Sequence, residues 1–351
     1  MILAVKDLLT DWKVGIRLIS GLVFLIIILG SCTKDKVEPV EIVGSALGTV
    51  FSIKLVSIPA DVNVSSLQFK IEELLTQIDS FMSVFYPTSE ISRFNDTKST
   101  DWFNLSPEVS RVIAESLQIS EETGGAFDFT IGNQIELWGF GRSAATGKIP
   151  DESKIQTALQ TSGYQKFLIS KDRSSIRKND PGLSINLSAS AKGYAVDRVA
   201  QLLEENKIFS YLVEIGGEIK TKGKKNGAKP WLVAIERPDV NKRSIQKILK
   251  LGNDSMATSG DYRNFFEIEN QRFSHTIDPK TGWPVNNEIA SVSVIHPSCL
   301  KADALATALI VMGFERGFQF AQKHNYRVFW ILREQGELVE KYSPEFKPFL
   351  D

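Results

Sequence analysis

The stretch Ile185-Asn186-Leu187-Ser188-Ala189-Ser190-Ala191-Lys192-Gly193-Tyr194-Ala195-Val196-Asp197 moves from a short apolar run, through small residues, into a helical pattern that continues to about Glu205. The alternating run Tyr211-Leu212-Val213-Glu214-Ile215 follows. Read locally, Ile185–Leu187 is a strand, Ala191–Glu205 a helix and Tyr211–Ile215 a second strand. Upstream, Val50 to Leu55 alternates like a half-buried strand. Leu67, Ile71, Leu74, Leu75, Ile78 and Phe81 predict an amphipathic helix over Ser65–Phe81 with a serine cap. Ser106 opens a further predicted helix over Pro107–Glu122, closed by Gly124-Gly125. Downstream, Trp231–Glu236, Phe265–Glu269, Ser291–Ile295 and Arg327–Leu332 read as strands, and one long helix is expected from about Lys301 to His324. Helices and strands in mixed order, without a repeat or an internal linker, define an α+β class and a single folded domain, assigned to residues 43–351.

The chain has 351 residues, 42% hydrophobic and 24% charged, enough to bury a sizeable core. With 41 basic and 42 acidic residues its formal net charge is −1, so a global attraction to nucleic acid is excluded. Two cysteines do not make a disulfide framework, and Cys299 reads as a small, partly buried residue. Near the N-terminus, Lys13 and Arg17 precede the apolar run Gly21 to Gly30, too short for a comfortable membrane span but suited to a signal-peptide core. The run ends in Leu29-Gly30-Ser31-Cys32, which resembles a bacterial lipobox. The expectation is a signal peptide over residues 1–31, a lipidated Cys32, a solvated linker over 32–42, and export to the periplasmic face of a bacterial membrane. An uncleaved signal anchor is the alternative.

Familiar catalytic signatures are missing: there is no GxSxG, P-loop, HExxH or GxGxxG. Glycine, hydroxyl and carboxylate clusters remain. Asp128-Phe129-Thr130-Ile131-Gly132 and Leu137-Trp138-Gly139-Phe140-Gly141 form an aromatic patch that suits either a flat heteroaromatic ligand or a core. Ser188–Asp197 suits anion capture at a helix start, or tight strand-to-helix packing. Glu214-Ile215-Gly216-Gly217-Glu218 alone marks a turn. Ala257-Thr258-Ser259-Gly260-Asp261-Tyr262-Arg263 and His275-Thr276-Ile277-Asp278-Pro279-Lys280-Thr281-Gly282 gather polar groups, with His275 either a proton acceptor on a rigid turn or a structural histidine. In Ala302-Asp303-Ala304-Leu305-Ala306-Thr307, Asp303 and Thr307 share one helix face and offer the hard oxygens that Mg²⁺ accepts, or mark a helix's first turn.

Taken in order, these clusters resemble the ApbE family. The resemblance begins at Leu47-Gly48-Thr49 and passes through Ile78-Asp79, Met82-Ser83, Ser92-Arg93-Phe94-Asn95 and Gly125-Ala126-Phe127-Asp128. It continues through Leu137–Gly141, Ala191–Asp197, Gly216-Gly217-Glu218, Ala257–Tyr262, Ile277–Gly282 and Ala302–Thr307, and covers residues from about 43 to 335.

What the resemblance implies is a T-fold-like core, FAD bound as substrate, a Mg²⁺ ion, and transfer of the FMN phosphoryl group to a Thr or Ser of a partner flavoprotein with release of AMP. It implies Asp303 and Thr307 as side-chain metal ligands, with Ala189 and Ala306 as backbone contributors, and His275 as base. It places Leu47, Phe85, Ala126, Phe127, Asp128, Asn186, Lys192, Ser259, Gly260 and His275 against FAD, with Phe85 stacked on the flavin. Asn186 stands where many members carry Asp, and Glu218 where Asp is usual. Net hydrolysis of FAD to FMN and AMP, and a non-enzymatic flavin-binding lipoprotein, are the competing functions. Binding alone does not require the His275, Asp303 and Thr307 set.

Overall fold

The computed structural model describes residues 38–143, 148–225, 229–239, 242–261, 265–268 and 271–350. The proposed signal peptide and Cys32, and Tyr262 and Arg263 of the polar cluster, lie outside them. The described residues open with a hairpin, β1 (Val40–Ala46) and β2 (Thr49–Leu55), so β1 starts within the 32–42 stretch assigned to the linker. Its loop is Leu47-Gly48, both at positive φ (54° and 69°), the two-residue turn whose twist matches that of a hairpin. Then come α1 (Val64–Met82), α2 (Glu90–Asp96), β3 (Phe103–Asn104), α3 (Pro107–Glu122), α4 (Gly132–Leu137), α5 (Glu152–Gln160), β4 (Phe167–Ile169) and β5 (Ser175–Lys178). The second half holds α6 (Ser188–Glu205), β6 (Tyr211–Ile215), β7 (Glu218–Lys222), β8 (Leu232–Glu236), β9 (Ile245–Lys250), β10 (Ser255–Gly260), β11 (Phe265–Ile268), β12 (Gln271–Ser274) and β13 (Ile289–His296). It closes with α7 (Cys299–Met312), α8 (Phe314–His324), β14 (Arg327–Glu334) and β15 (Glu337–Tyr342).

Eight strands form one antiparallel sheet in the order β1-β2-β6-β7-β10-β13-β14-β15. Helices α1, α3, α6 and α7 pack over one face through a core that includes Ile71, Val112, Val199, Leu305 and Val294. The other face is covered in part by the β8–β9 hairpin and Phe346, through Val233, Ile235, Leu249, Phe329 and Ile331. Lying between two apolar layers, β13 is buried over seven of its eight residues and reads as a continuous run rather than an alternation. Helix α7 is buried all round for the same reason. Gly193 of α6 is what admits it: a Cβ there would stand 2.4 Å from the Cys299 carbonyl oxygen, so only glycine lets the two helices meet this closely.

Several sequence expectations need correction. Ile185–Leu187 is not a strand, because its backbone is satisfied by other partners. Asn95 donates to and accepts from Ile185, each at 2.8 Å, and Asn186 N–H donates to the Phe129 carbonyl. Helix α6 therefore starts at Ser188, before Ala191. Asn63, not Ser65, caps α1, its side chain accepting from Ser66 N–H. The expected single helix over Lys301–His324 is two, broken at Gly313, whose φ of 75° no continuing helix can adopt. Ser106 does cap Pro107–Glu122, and Tyr211–Ile215 is a strand with the expected bounds.

Candidate functional site

A cavity of about 610 Å³ opens where α6, α7, β10 and the β6–β7 turn converge. The close contact at Gly193 does more than fill the core. Gly193 N–H donates to Asp303 Oδ2 at 3.1 Å, and the neighbouring Lys192 Nζ lies 3.6 Å from the same oxygen. Lys192 Nζ also donates to Glu218 Oε1 at 3.0 Å, so one ammonium is shared by two carboxylates from two different elements. One turn along α7 from Asp303, Thr307 brings its hydroxyl 3.2 Å from that of Ser259 on β10.

Gly216 and Gly217 form the β6–β7 turn with φ of 61° and 104°, and this turn carries Glu218 into the cavity wall. Gly216 also leaves room for the lysine, since a Cβ would lie 2.8 Å from Thr49 Cγ2 and 3.4 Å from Lys192 Cδ. Glu218 is 3% exposed, and its Oε2 is buried without a hydrogen-bond partner. Burial, with the Asp303 charge added to it, raises the Glu218 carboxyl above the usual carboxylate range against the opposing pull of Lys192. Burial disfavours the Lys192 charge, but the Asp303 and Glu218 carboxylates outweigh it and hold the ammonium above the ordinary lysine range.

A second part of the lining consists of Ala126, Phe127, Asp128, Phe129, Ile131, Ile135 and Phe140, with His275, Thr276, Ile277 and Pro279. The His275 ring stands edge-on to Phe140, centroids 6.2 Å apart. Its loop is fixed from behind: Trp138 Nε1–H donates to the Gly282 carbonyl at 2.7 Å, and Gly282 N–H and Lys280 N–H both donate to Asp278. Asp128 is buried, and its oxygens accept from Thr130 N–H, Thr130 Oγ1–H and Tyr164 N–H, so it braces the loop rather than standing free. Burial raises its carboxyl above the usual range even against those bonds.

Of the residues named from sequence, Ala126, Phe127, Asp128, Asn186, Ala189, Lys192, Ser259, Gly260, His275, Asp303 and Thr307 line this one cavity. Three do not. Leu47 turns the β1–β2 hairpin and packs against the main core. Ala306 is fully buried inside α7. Phe85 is 60% exposed on the turn after α1, where its N–H donates to Ser83 Oγ; the aromatic rings that line the cavity are those of Phe127, Phe129 and Phe140. Glu214, Glu236 and Arg243 line the cavity without having been singled out as ligands. Glu236 and Arg243 flank the β8–β9 turn and carried no motif. Cys299 is a buried free thiol with its pKa raised by burial, an inert group.

Among the described residues no three His, Cys, Asp or Glu side chains cluster as a metal cage. The donors present are oxygens: the Asp303 carboxylate and the Thr307 and Ser259 hydroxyls. That set fits a hard cation that keeps water or phosphate as its remaining ligands, and does not fit a soft metal.

A cavity lined by aromatic rings, a lysine, hydroxyls and the start of a helix suits a phosphorylated heteroaromatic ligand. The ApbE family pattern matches residues 47–330. An FAD:protein FMN transferase of Vibrio cholerae serotype O1 is 39% identical over 325 residues, 93% of this chain and 96% of that one. Another of Haemophilus influenzae is 36% identical over 341 residues, covering 94% and 97%. The solved flavin transferase ApbE from Vibrio cholerae superposes with a TM-score of 0.83 at 39% identity, over 89% of this chain and 99% of that one. The apo flavinyl transferase ApbE of Pseudomonas stutzeri gives 0.80 at 32% identity, over 89% and 97%. This chain belongs to the ApbE family.

Proposed function

We propose that this chain is an FAD:protein FMN transferase, moving the FMN portion of FAD to a Ser or Thr hydroxyl of a partner flavoprotein and releasing AMP. The observation that carries this reading is the single cavity that holds an aromatic wall, a histidine and the Lys192–Asp303–Thr307 group together. In the reaction the acceptor oxygen bonds to the FMN phosphorus and the phosphorus–oxygen bond to AMP breaks. The hydroxyl proton passes to a ring nitrogen of His275. Lys192 and the first turn of α6 offset the charge of the phosphates, and Phe140 with Phe127 and Phe129 gives the flavin end an apolar bed.

Asp303, Thr307 and the Ala189 carbonyl would hold Mg²⁺, which when bound offsets pyrophosphate charge and polarises the reacting phosphorus. Anchoring by a lipidated Cys32 on the periplasmic side of a bacterial membrane belongs to the same proposal, supported by the Leu29-Gly30-Ser31-Cys32 pattern. Acyl labelling that persists in Cys32→Ala would remove that part. For the chemistry, the chain is incubated with FAD, Mg²⁺ and a candidate acceptor, followed by intact mass of the acceptor and by AMP release. A gain of FMN on the acceptor matched by AMP is expected. AMP and free FMN with no mass gain on any acceptor tried would leave hydrolysis as the activity.

A further inference from the structure

The Lys192 ammonium stands where a divalent cation would compete with it. Its Nζ is 3.6 Å from Asp303 Oδ2, the oxygen that Gly193 N–H also approaches, so a cation at Asp303 and the ammonium would be two positive charges on one carboxylate. Glu218 offers the ammonium somewhere else to go. Its Oε1 already accepts from Lys192 at 3.0 Å, and its Oε2 is buried with no partner, a condition that native structures seldom leave without a reason. An ammonium carries three donors and can serve both oxygens of one carboxylate. The side chain is also free to make the shift, being about one-third open to the cavity and running past Gly216, where no Cβ intrudes.

We propose that Glu218 is a positioning residue that draws the Lys192 ammonium off Asp303, so that the Asp303 carboxylate is released to the divalent cation and the ammonium stays beside the phosphates. This inference rests on the reading of Asp303 and Thr307 as cation ligands. It makes Lys192 an internal competitor of the metal and gives Glu218 an effect on metal affinity that exists only while Lys192 is present.

The test is a double-mutant cycle on the full chain without FAD, with Mn²⁺ as the probe and free Mn²⁺ read by electron paramagnetic resonance. Lys192→Met is expected to bind Mn²⁺ on the order of tenfold more tightly than wild type, and Glu218→Gln on the order of tenfold more weakly, the usual size of coupling within one charge network. The double variant should match Lys192→Met, because Glu218 has nothing left to hold. If Glu218→Gln weakens Mn²⁺ equally in both backgrounds, returning the double variant to wild-type affinity, Glu218 is an independent charge or a ligand and the proposal fails. It fails equally if neither single variant changes affinity. Circular dichroism and melting establish folding, and Lys192→Gln replaces Lys192→Met should the latter unfold. Should wild type bind no Mn²⁺ yet bind FAD and transfer FMN in EDTA, the cation reading itself falls, an outcome distinct from a cycle with the wrong coupling.

Discussion

The two walls of the cavity are built in opposite ways. The charged wall is held by regular structure: a helix start, one face of α7, a strand end and a two-glycine turn, locked by the contact at Gly193 that no other residue would allow. The aromatic and histidine wall is made largely of loops around the short helix α4, tied across the chain, as by Trp138 to Gly282, 144 residues apart. A buried carboxylate and lysine have to be fixed by neighbours, because an unpaired charge there is costly. A histidine that exchanges protons needs only to be aimed, and a loop pinned at its base does that. The charged wall should therefore fail abruptly when altered, and the other wall by degrees.

Asp303→Ala tests the abrupt side. It removes the oxygen shared by Gly193 N–H and Lys192 and the one carboxylate in the expected cation set. Flavin transfer should fall on the order of 10³-fold or more, the scale of losing a main electrostatic stabiliser. Steady-state AMP release, with melting as a folding control, measures it, and turnover within a few-fold of wild type in Mg²⁺ would show that the charged wall is not where phosphate is handled. His275→Ala should come next, with roughly a 10²-fold or greater loss in single-turnover transfer at saturating FAD and almost no change in FAD affinity. A rate that recovers once FAD saturates would make His275 a structural residue. Asp261, the obvious substitute base, is held by Arg333 in a two-point ion pair at 2.9 and 2.7 Å, and does not line the cavity.

The same division decides what was legible beforehand. Ser106 capping α3, the Tyr211–Ile215 strand, and Asp303 with Thr307 on one helix face follow from spacing within a few residues, and the sequence carries them plainly. Strand β10 was hidden, because the hydroxyls of Thr258 and Ser259, hydrogen-bonded to Ser293 and Thr307, spoil the apolar alternation of Ser255–Gly260. The break at Gly313 was hidden too, since apolar residues on both sides continue the helical period and one glycine is an ambiguous stop. Ile185–Leu187 looks like a strand because all three residues are buried, yet its hydrogen bonds go to Asn95 and Phe129, partners that no local pattern names.

Trp138→Phe probes the tie behind His275. Trp138 is 2% exposed and stacks on Phe273 at 5.5 Å, so phenylalanine keeps most of the packing but leaves the Gly282 carbonyl without its donor. A cost of about 1–3 kcal/mol in stability is expected. Transfer should drop only a few-fold, with FAD affinity little changed, because the loop that carries His275 is loosened rather than lost. Chemical denaturation beside single-turnover kinetics separates the two effects. A drop as large as that of His275→Ala would mean that this wall is as rigid in function as the charged one.

The smallest effect is expected at Phe85, and it sharpens the contrast because resemblance and geometry disagree there. Resemblance places Phe85 on the flavin, whereas the structure leaves its ring 60% exposed on the turn after α1 and puts Phe140 on the cavity wall, edge-on to His275. A position matched along the chain fixes where a residue falls in the sequence, and the turn that carries it decides where the ring points. A single aromatic contact is worth roughly 0.5–1.5 kcal/mol beyond its area, so Phe140→Ala should weaken FAD binding by about three- to tenfold, while Phe85→Ala should leave it unchanged. Titration of FAD fluorescence with each variant gives both values directly. If Phe85→Ala costs as much as Phe140→Ala, the Ser83–Ser89 turn closes over bound flavin, and the aromatic wall is completed by the ligand rather than built in advance.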